Sequence, residues 1–158
     1  MTSQAQYAAL PNAGFFRRLA AFIYDFFMAS AIALVMTMLS LALTAIANAL
    51  GVISLPDGME HSTYLTQQWW SQLLIWGGVV VFFIWFWTRA GQTIGMRAWR
   101  LRVQNKDGSN ISISQACLRL FTAAFGLGNL MVLVTRENLA FQDLWARCVV
   151  VTLPKPNK

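Results

Sequence analysis

The chain has 158 residues, of which 57% are hydrophobic and only 11% are charged. A soluble domain has about 45–50% apolar and about 25% charged residues, so this composition excludes an ordinary soluble protein. The formal net charge of +6 is more typical of the basic cytoplasmic loops of a membrane protein than of nucleic-acid binding. We therefore expect an α-helical integral membrane protein without a nucleic-acid partner.

The first hydrophobic run follows a charged helix start. Residues 1–13 are short and polar and predict a flexible tail, whereas residues 15–25 read FFRRLAAFIYD. Arg18 and Asp25 are seven positions apart, which places them on one face of a helix. Residues 26–49 then carry no charge, and at about 1.5 Å per residue they exceed the roughly 30 Å of a hydrocarbon core. This run is too long for a signal peptide and predicts an uncleaved transmembrane helix.

A second uncharged run covers residues 69–88 and has aromatic residues at both ends, as expected for a second transmembrane helix. The loop before it contains Asp57 and Glu60 but no lysine or arginine, whereas residues 89–119 hold six basic residues and one acidic residue. Because cytoplasmic loops are enriched in basic residues, we expect a multi-pass inner-membrane protein with a cytoplasmic N-terminus. The basic segment is expected to contact anionic lipid headgroups.

The basic segment also has the pattern of a small β-sheet. Residues 99–113 contain alternating apolar positions around an Asn-Lys-Asp-Gly turn, which predicts a β-hairpin. A two-stranded hairpin is marginally stable in water, so a third strand is needed, and the β-branched run at residues 148–153 is the available candidate. The predicted sheet is cytoplasmic, and residues 154–158 form a C-terminal tail.

The remaining apolar segment, residues 120–135, has only sixteen residues and is interrupted by Gly126 and Gly128. A full span needs about 20 residues, and both flanks of this segment are basic. A re-entrant helix–turn–helix would return the chain to the cytoplasmic sheet. The alternative is a third full span, which would leave the C-terminus outside and the last strand without a partner.

Two aspartates are candidates for function. A carboxylate inside a membrane costs about 2.5–3.5 kcal/mol at the bilayer centre, so Asp25 either forms an ion pair with Arg17 or Arg18 or serves as a titrating cation or proton site. Asp143 either caps a turn or pairs with a basic residue of the hairpin loop, or it folds back to join Arg18 and Asp25 in one buried cluster. One arginine with two aspartates would be net negative, which suits a monovalent cation or a shared proton.

Other chemistry has no support in the residues. The two cysteines, Cys117 and Cys148, form no CxxC pair, and His61 is the single histidine, so we expect reduced thiols, no metal site and no cofactor. No nucleophile–base–acid set and no nucleotide-binding pattern is present. The chain is therefore predicted not to be an enzyme, and we assign no catalytic residue.

The order of these motifs resembles the RDD family of small membrane proteins. The segment RRLAAFIYD is followed by GQTIGMR at residues 91–97, by Leu101-Arg102-Val103, Asp107-Gly108 and Arg119, and finally by Asp143. The similarity covers residues 14–153. The resemblance implies that the family's one arginine and two aspartates are Arg18, Asp25 and Asp143. A supporting juxtamembrane motif consists of Gly91, Gln92, Thr93, Gly95 and Arg97.

The supporting motif is interpreted as a turn that packs the second helix onto the sheet. Family members often have a histidine before the last aspartate and a glycine-threonine pair after it, whereas this chain has Gln142 and Arg147-Cys148. The absence of that imidazole argues against proton chemistry at Asp143.

The resemblance implies two alternative functions, a component of monovalent cation/proton transport or a non-catalytic scaffold for a larger membrane complex. Two spans enclose too little space for a pathway, so we expect a homo-oligomer or a larger complex.

Overall fold

The computed structural model describes residues 3–56 and 58–155. Asp57 of the predicted outer loop and the ends of both predicted tails lie outside these residues. The described residues form two compact units. We call residues 28–81 the helical unit, and residues 3–27 together with 82–155 the sheet unit.

Most of the chain is helical. The helices are α1 (Ser3–Ala8), α2 (Phe15–Ala49), α3 (His61–Gln67), α4 (Trp69–Arg89), α5 (Ile94–Ala98), α6 (Ile113–Thr122), the 3₁₀ helix η1 (Ala124–Leu133) and α7 (Phe141–Trp145), and the strands are β1 (Leu101–Gln104) and β2 (Val149–Thr152). Within the described residues, only α2 and α4 are each long and apolar enough to cross a bilayer. The helices α6 and η1 would form a third span only if they counted as one element despite the bend of 83° between them. The predicted class, a helical membrane protein with a small sheet, is confirmed.

The sheet joins the two ends of the sheet unit. β1 and β2 pair antiparallel, with Val103 opposite Val150. The N-terminal segment adds to the outer edge of β2, since the N–H of Ala13 donates to Val150 O at 2.8 Å and the N–H of Thr152 donates to Pro11 O at 2.9 Å. The edge of β1 is covered by the turn after α4, where the N–H of Val103 donates to Gly91 O at 2.7 Å. Both edges are therefore closed, which protects the sheet from pairing with other chains.

Side chains alternate between two cores on the two faces of the sheet. On one face, Leu101, Val103, Cys148 and Val150 pack with Met96, Ala21, Trp87 and Ala116. On the other face, Val149 and Val151 pack with Leu139 and Leu10. The face that carries the larger core is the one to which the start of α2 contributes.

The sheet unit contains an internal repeat that the sequence pattern did not indicate. α5 and α7 each have five residues, and each is followed by an arginine in the left-handed region, Arg100 with φ 55° and Arg147 with φ 52°. Each arginine is followed in turn by a strand of four residues. Because the antiparallel ladder has Val103 opposite Val150, an approximate two-fold axis through this pair relates the two helix–arginine–strand segments.

Two local predictions are wrong. The predicted tail over residues 1–13 is structured in its described part, since Gln104 Nε2 donates to Tyr7 O at 2.8 Å and the guanidinium of Arg102 lies 4.3 Å from the Tyr7 ring centroid. The predicted hairpin at residues 99–113 has only its first strand, because Ser112 caps α6 with a capping box and the chain becomes helical at Ile113. The partner of β1 is instead the late β-branched run.

Candidate functional site

A buried carboxylate bridges two arginines in the sheet unit. Arg18 Nη1 lies 2.6 Å from Asp143 Oδ2, and Arg119 Nη1 donates to Asp143 Oδ1. The side chain of Asp143 is 0% exposed, and those of Arg18 and Arg119 are 3% and 7% exposed. We call these three residues the charge triad. Breaking such a buried pair is costly because the remaining charge has no solvent to stabilise it.

Arg18 uses the rest of its guanidinium to join three parts of the chain. Its Nε donates to Ala13 O at 2.9 Å, and its Nη2 donates to Asn138 O at 3.0 Å. Asn138 has a left-handed φ of 54°, a conformation that asparagine tolerates better than most residues. Arg18 therefore fastens α2 to the N-terminal segment and to the turn that precedes α7.

Arg119 reaches the same carboxylate from α6. Its guanidinium carbon lies 5.2 Å from the ring centroid of Trp87, and its Nη1 lies 3.5 Å from Cys148 Sγ. A guanidinium over an indole face gains a cation–π attraction that grows when the pair is buried. Arg119 thus connects α6 with the end of α4 and with the residue before β2.

Asp143 also organises the helix on which it lies. Its Oδ2 accepts a hydrogen bond from the N–H of Ala140 at 3.1 Å, which satisfies one of the free donors at the N-terminus of α7. Burial raises the pKa of Asp143, but the guanidiniums of Arg119 and Arg18 more than offset this effect and hold the pKa below its usual value. Asp143 is therefore a structural group that is charged at neutral pH.

Asp25 occupies a different place and has different partners. Thr93 Oγ1 donates to Asp25 Oδ2 at 2.5 Å, and the N–H of Gly95 donates to Asp25 Oδ1 at 2.9 Å. The same Thr93 hydroxyl accepts from the N–H of Met96 at 3.2 Å, so its single proton is directed at Asp25. The carboxylate of α2 thereby caps the N-terminus of α5, where free N–H groups and the helix dipole favour a negative charge.

The GQTIG segment fits this contact closely. A Cβ on Gly95 would meet the backbone oxygen of Ala21 and would lie 2.8 Å from Asp25 Oδ1. Gly91 has a φ of +67°, and Gln92 Nε2 donates to Leu101 O at 2.6 Å. The segment is the turn onto the sheet that the sequence suggested, and it also supplies both hydrogen bonds to Asp25.

Arg97 stands apart from the other residues of the supporting motif. It is exposed on α5. Within residues 3–56 and 58–155, ion pairs form only between Asp143 and the two arginines of the charge triad, so Arg97 has none there.

The predicted cluster of Arg18, Asp25 and Asp143 is therefore only partly correct. Arg18 does meet Asp143, but Arg18 does not pair with Asp25, because Asp143 and two backbone carbonyls take its donors. Arg119 is the member that the predicted cluster left out. The triad has two arginines and one aspartate, so the expectation of a net negative cluster is wrong. The available signal was a lone arginine between apolar residues in an amphipathic segment.

Gln142 takes a structural role beside the triad. Its Nε2 donates to Asn129 Oδ1 at 2.9 Å, and its amide occupies the space that a Cβ on Gly128 would need. This contact joins α7 to η1. An amide does not titrate, so no proton transfer passes through this position.

Comparison with known proteins agrees with this arrangement. A sequence model of the RDD family matches residues 12–147. This range includes the charge triad, Asp25 with its two hydrogen-bond donors, and the turn between α4 and α5. No curated protein and no solved structure matches the chain.

Asp143→Asn is expected to lower the free energy of unfolding by about 3–5 kcal/mol, because it leaves two buried guanidiniums without a counter-charge. Thermal unfolding in detergent micelles measures the change. The matched control is Asp107→Asn in the exposed turn after β1, which should have little effect. Equal stabilities of the two variants would contradict a supporting role for the triad.

The stability should depend on pH through Asp143. Its pKa in the folded protein lies below the ordinary value of 3.8, so the native state binds fewer protons than the unfolded state near that pH. The stabilisation is complete above 3.8 and is lost as the pH falls through the folded-state pKa. The stability difference between the wild type and Asp143→Asn, measured from about pH 6 to about pH 3, should shrink at the acidic end.

Gly95→Ala is expected to destabilise the protein by about 1–3 kcal/mol, because the added methyl group forces α5 away from α2. The matched control is Gly77→Ala, where a Cβ meets nothing within 4 Å. Unfolding curves recorded in the same detergent compare the two. A Gly95→Ala protein as stable as Gly77→Ala would show that α5 does not pack this closely on α2.

Proposed function

The chain belongs to the RDD family, and we propose that it is a non-catalytic scaffold that assembles or stabilises a larger complex in a bacterial inner membrane. The observation that carries this proposal is that Arg18, Asp25 and Asp143, the charged residues of the family, are all bound to other groups of the protein. Each carboxylate oxygen of Asp143 and Asp25 already accepts a hydrogen bond from a protein donor. Carboxylates bound in this way hold parts of a fold together, whereas a transport site must exchange its partners for the ion.

Two of the three charged residues of α2, Arg18 and Asp25, act as a two-point clasp. Arg18 binds Asp143 of α7, and Asp25 caps α5. They lie two turns apart on one face of α2, so the helix cannot rotate about its axis without breaking one of the contacts. We infer that this clasp fixes the start of a membrane helix against the sheet. A rigid helix start is what a scaffold needs to present a constant surface.

The helical unit offers a surface for a partner helix. A Cβ on Gly77 would meet nothing within 4 Å, whereas one on Gly78 would lie 3.0 Å from the side chain of Met36. Gly78 is therefore used within the unit, and Gly77 is free to admit a close neighbour. We propose that the neighbour is a second copy of this chain or a helix of another membrane protein.

A component of monovalent cation/proton transport is the second candidate function. It is supported by Asp25, a carboxylate on a membrane helix that is 6% exposed and has no ion pair in the part of the chain that the structure describes. Buried charges in membranes are costly and are often functional. A protonated carboxyl group still accepts hydrogen bonds, so the contacts with Thr93 and Gly95 are compatible with both protonation states of Asp25.

The proposed orientation places the sheet unit in the cytoplasm. Outside the two buried clusters, the described residues of this unit include nine basic and two acidic side chains: Arg17, Arg89, Arg97, Arg100, Arg102, Lys106, Arg136, Arg147 and Lys155 against Asp107 and Glu137. This excess supports a cytoplasmic location, because basic residues are retained on that side of bacterial membranes.

Gly77→Leu is expected to reduce the amount of oligomer or complex, because the added side chain fills the open surface. The measurement is chemical crosslinking in native membranes followed by sizing, with Gly77→Ala as the matched control that keeps the surface small. Unchanged crosslinking in Gly77→Leu, with normal insertion, would contradict helix docking at this position.

The scaffold proposal predicts no cation-driven pH change in proteoliposomes above that of empty liposomes with sodium, lithium or potassium. The transport alternative predicts a flux that disappears in Asp25→Asn. The asparagine is nearly isosteric and can still accept from the N–H of Gly95, so this variant should fold. Flux in the wild type and none in a folded Asp25→Asn protein would establish transport in place of the scaffold.

A further inference from the structure

The part of the sheet unit between the two strands has a broad apolar surface that neither charge cluster explains. Phe121 is 87% exposed and Val134 is 84% exposed, and three leucines of η1 are each more than half exposed: Leu127, Leu130 and Leu133. On α7, Phe141, Leu144 and Trp145 are also exposed. We call these eight residues the apolar face. The eight residues lie on or next to three helices that pack on one another, α6, η1 and α7. Large exposed apolar surfaces mark contacts with a protein or a membrane.

The chain on either side of this face belongs to one sheet. β1 ends at Gln104, β2 begins at Val149, and the two strands pair with each other. The segment between them therefore begins and ends on the same side of the membrane. A single crossing by α6 and η1 is incompatible with this pairing, and the bend of 83° places the two helices nearly at right angles, so they do not form one straight span.

The opposite side of the segment is held by the protein. Asp143 of α7 binds Arg18 of α2. The guanidinium carbon of Arg119 on α6 lies 5.2 Å from the ring centroid of Trp87 on α4. The charged side chains of α6 and α7, Arg119 and Asp143, are thus buried against the rest of the sheet unit, while the eight residues of the apolar face are exposed. The result is an element with one polar side and one apolar side, as in helices that lie in a membrane interface.

Two arginines close to the apolar face in the sequence indicate what kind of surface the face contacts. Arg136 and Arg147 are exposed beside the apolar face, and the surface of the sheet unit is strongly basic. Phe141 and Trp145 form a tilted ring pair with centroids 5.7 Å apart, and Trp145 is 58% exposed. Amphipathic aromatic rings and arginines are the side chains that settle at the headgroup level of a bilayer. The complementary partner is an anionic lipid surface.

We propose that the apolar face lies in a single leaflet of the bilayer, as a half-depth lipid-binding element, with Arg136 and Arg147 at the level of the lipid phosphates. The leaflet is the one next to the sheet. The element would hold the sheet unit flat on the membrane in addition to the attachment by its spanning helices. This inference is independent of whether the protein is a scaffold or a transporter.

The test is the depth of labels on this face. Nitroxides are attached to Leu130→Cys and Trp145→Cys in a Cys117→Ser background, while Cys148, which is 2% exposed, stays unlabelled. The matched control is Lys106→Cys in the exposed turn after β1. The proteins are reconstituted in vesicles of phosphatidylcholine with phosphatidylglycerol. Collisions with oxygen report the acyl region, and collisions with a water-soluble nickel chelate report the aqueous phase.

Labels at positions 130 and 145 should relax several-fold more with oxygen than with the nickel chelate, and the label at position 106 should show the reverse. Two results would overturn the proposal. Access of the nickel chelate to positions 130 and 145 equal to that at position 106 would place the face in water. Shielding from both reagents would mean that a protein covers the face, either a second copy or another partner.

A second measurement needs no label. In the same vesicles prepared with brominated lipids, Trp145→Phe should remove a share of the tryptophan fluorescence that the lipids quench. If Trp145 faces water, the share quenched by iodide will fall instead, and the proposal fails. Phenylalanine is smaller than tryptophan and lacks the indole N–H, but it keeps an aromatic ring next to Phe141. Because Trp145 is 58% exposed, this variant should fold normally.

Discussion

The bridge of two guanidiniums to the carboxylate of Asp143 is the interaction on which the sheet unit depends. Arg18 contributes from α2, Arg119 from α6, and Asp143 from α7, so one carboxylate joins three helices that are distant in the sequence. Removing these charges from water costs several kcal/mol per ion, and the cost is recovered only with good geometry and additional hydrogen bonds. Arg18 makes two such bonds to backbone carbonyls.

The triad alone has one positive charge in excess, and the sheet unit compensates for it with a second acidic group. Asp25 is buried on the same helix as Arg18, and the four groups together are neutral when Asp25 is ionised. Asp25 reaches no arginine, and its charge is stabilised by the N-terminus of α5 instead. The family's three charged residues therefore have two separate tasks, bridging helices and capping a helix.

The internal repeat gives these tasks a common geometry. α5 and α7 are related by the approximate two-fold axis of the sheet, and α2 contacts the N-terminal turn of each. At α7 the carboxylate is supplied by the helix itself and α2 supplies the arginine, whereas at α5 the carboxylate comes from α2. The helix α2 thus holds the two symmetry-related segments through side chains of opposite type, Arg18 at α7 and Asp25 at α5.

Much of the fold follows from the sequence because hydrophobic length and charge asymmetry are strong signals. The two uncharged runs predict α2 and α4, and the β-branched run predicts β2. The charge triad was harder to predict, because its residues are up to 125 positions apart and spacing along one helix favoured an Arg18–Asp25 pair. The prediction of a second hairpin strand was wrong for a local reason. Ser112 and Gln115 form the capping box of a helix where the apolar alternation suggested a strand.

The pairing of the sheet also sets an order for the making of the protein. Asn12 bridges to Val151, so β2 pairs with a segment that is synthesised well before it. Contacts so distant in the sequence form slowly, because the intervening chain must be ordered first. The membrane helices α2 and α4 are complete long before β2 is synthesised. We therefore expect insertion into the bilayer to precede closure of the sheet, and Arg18 has no Asp143 carboxylate to bind until α7 has been synthesised.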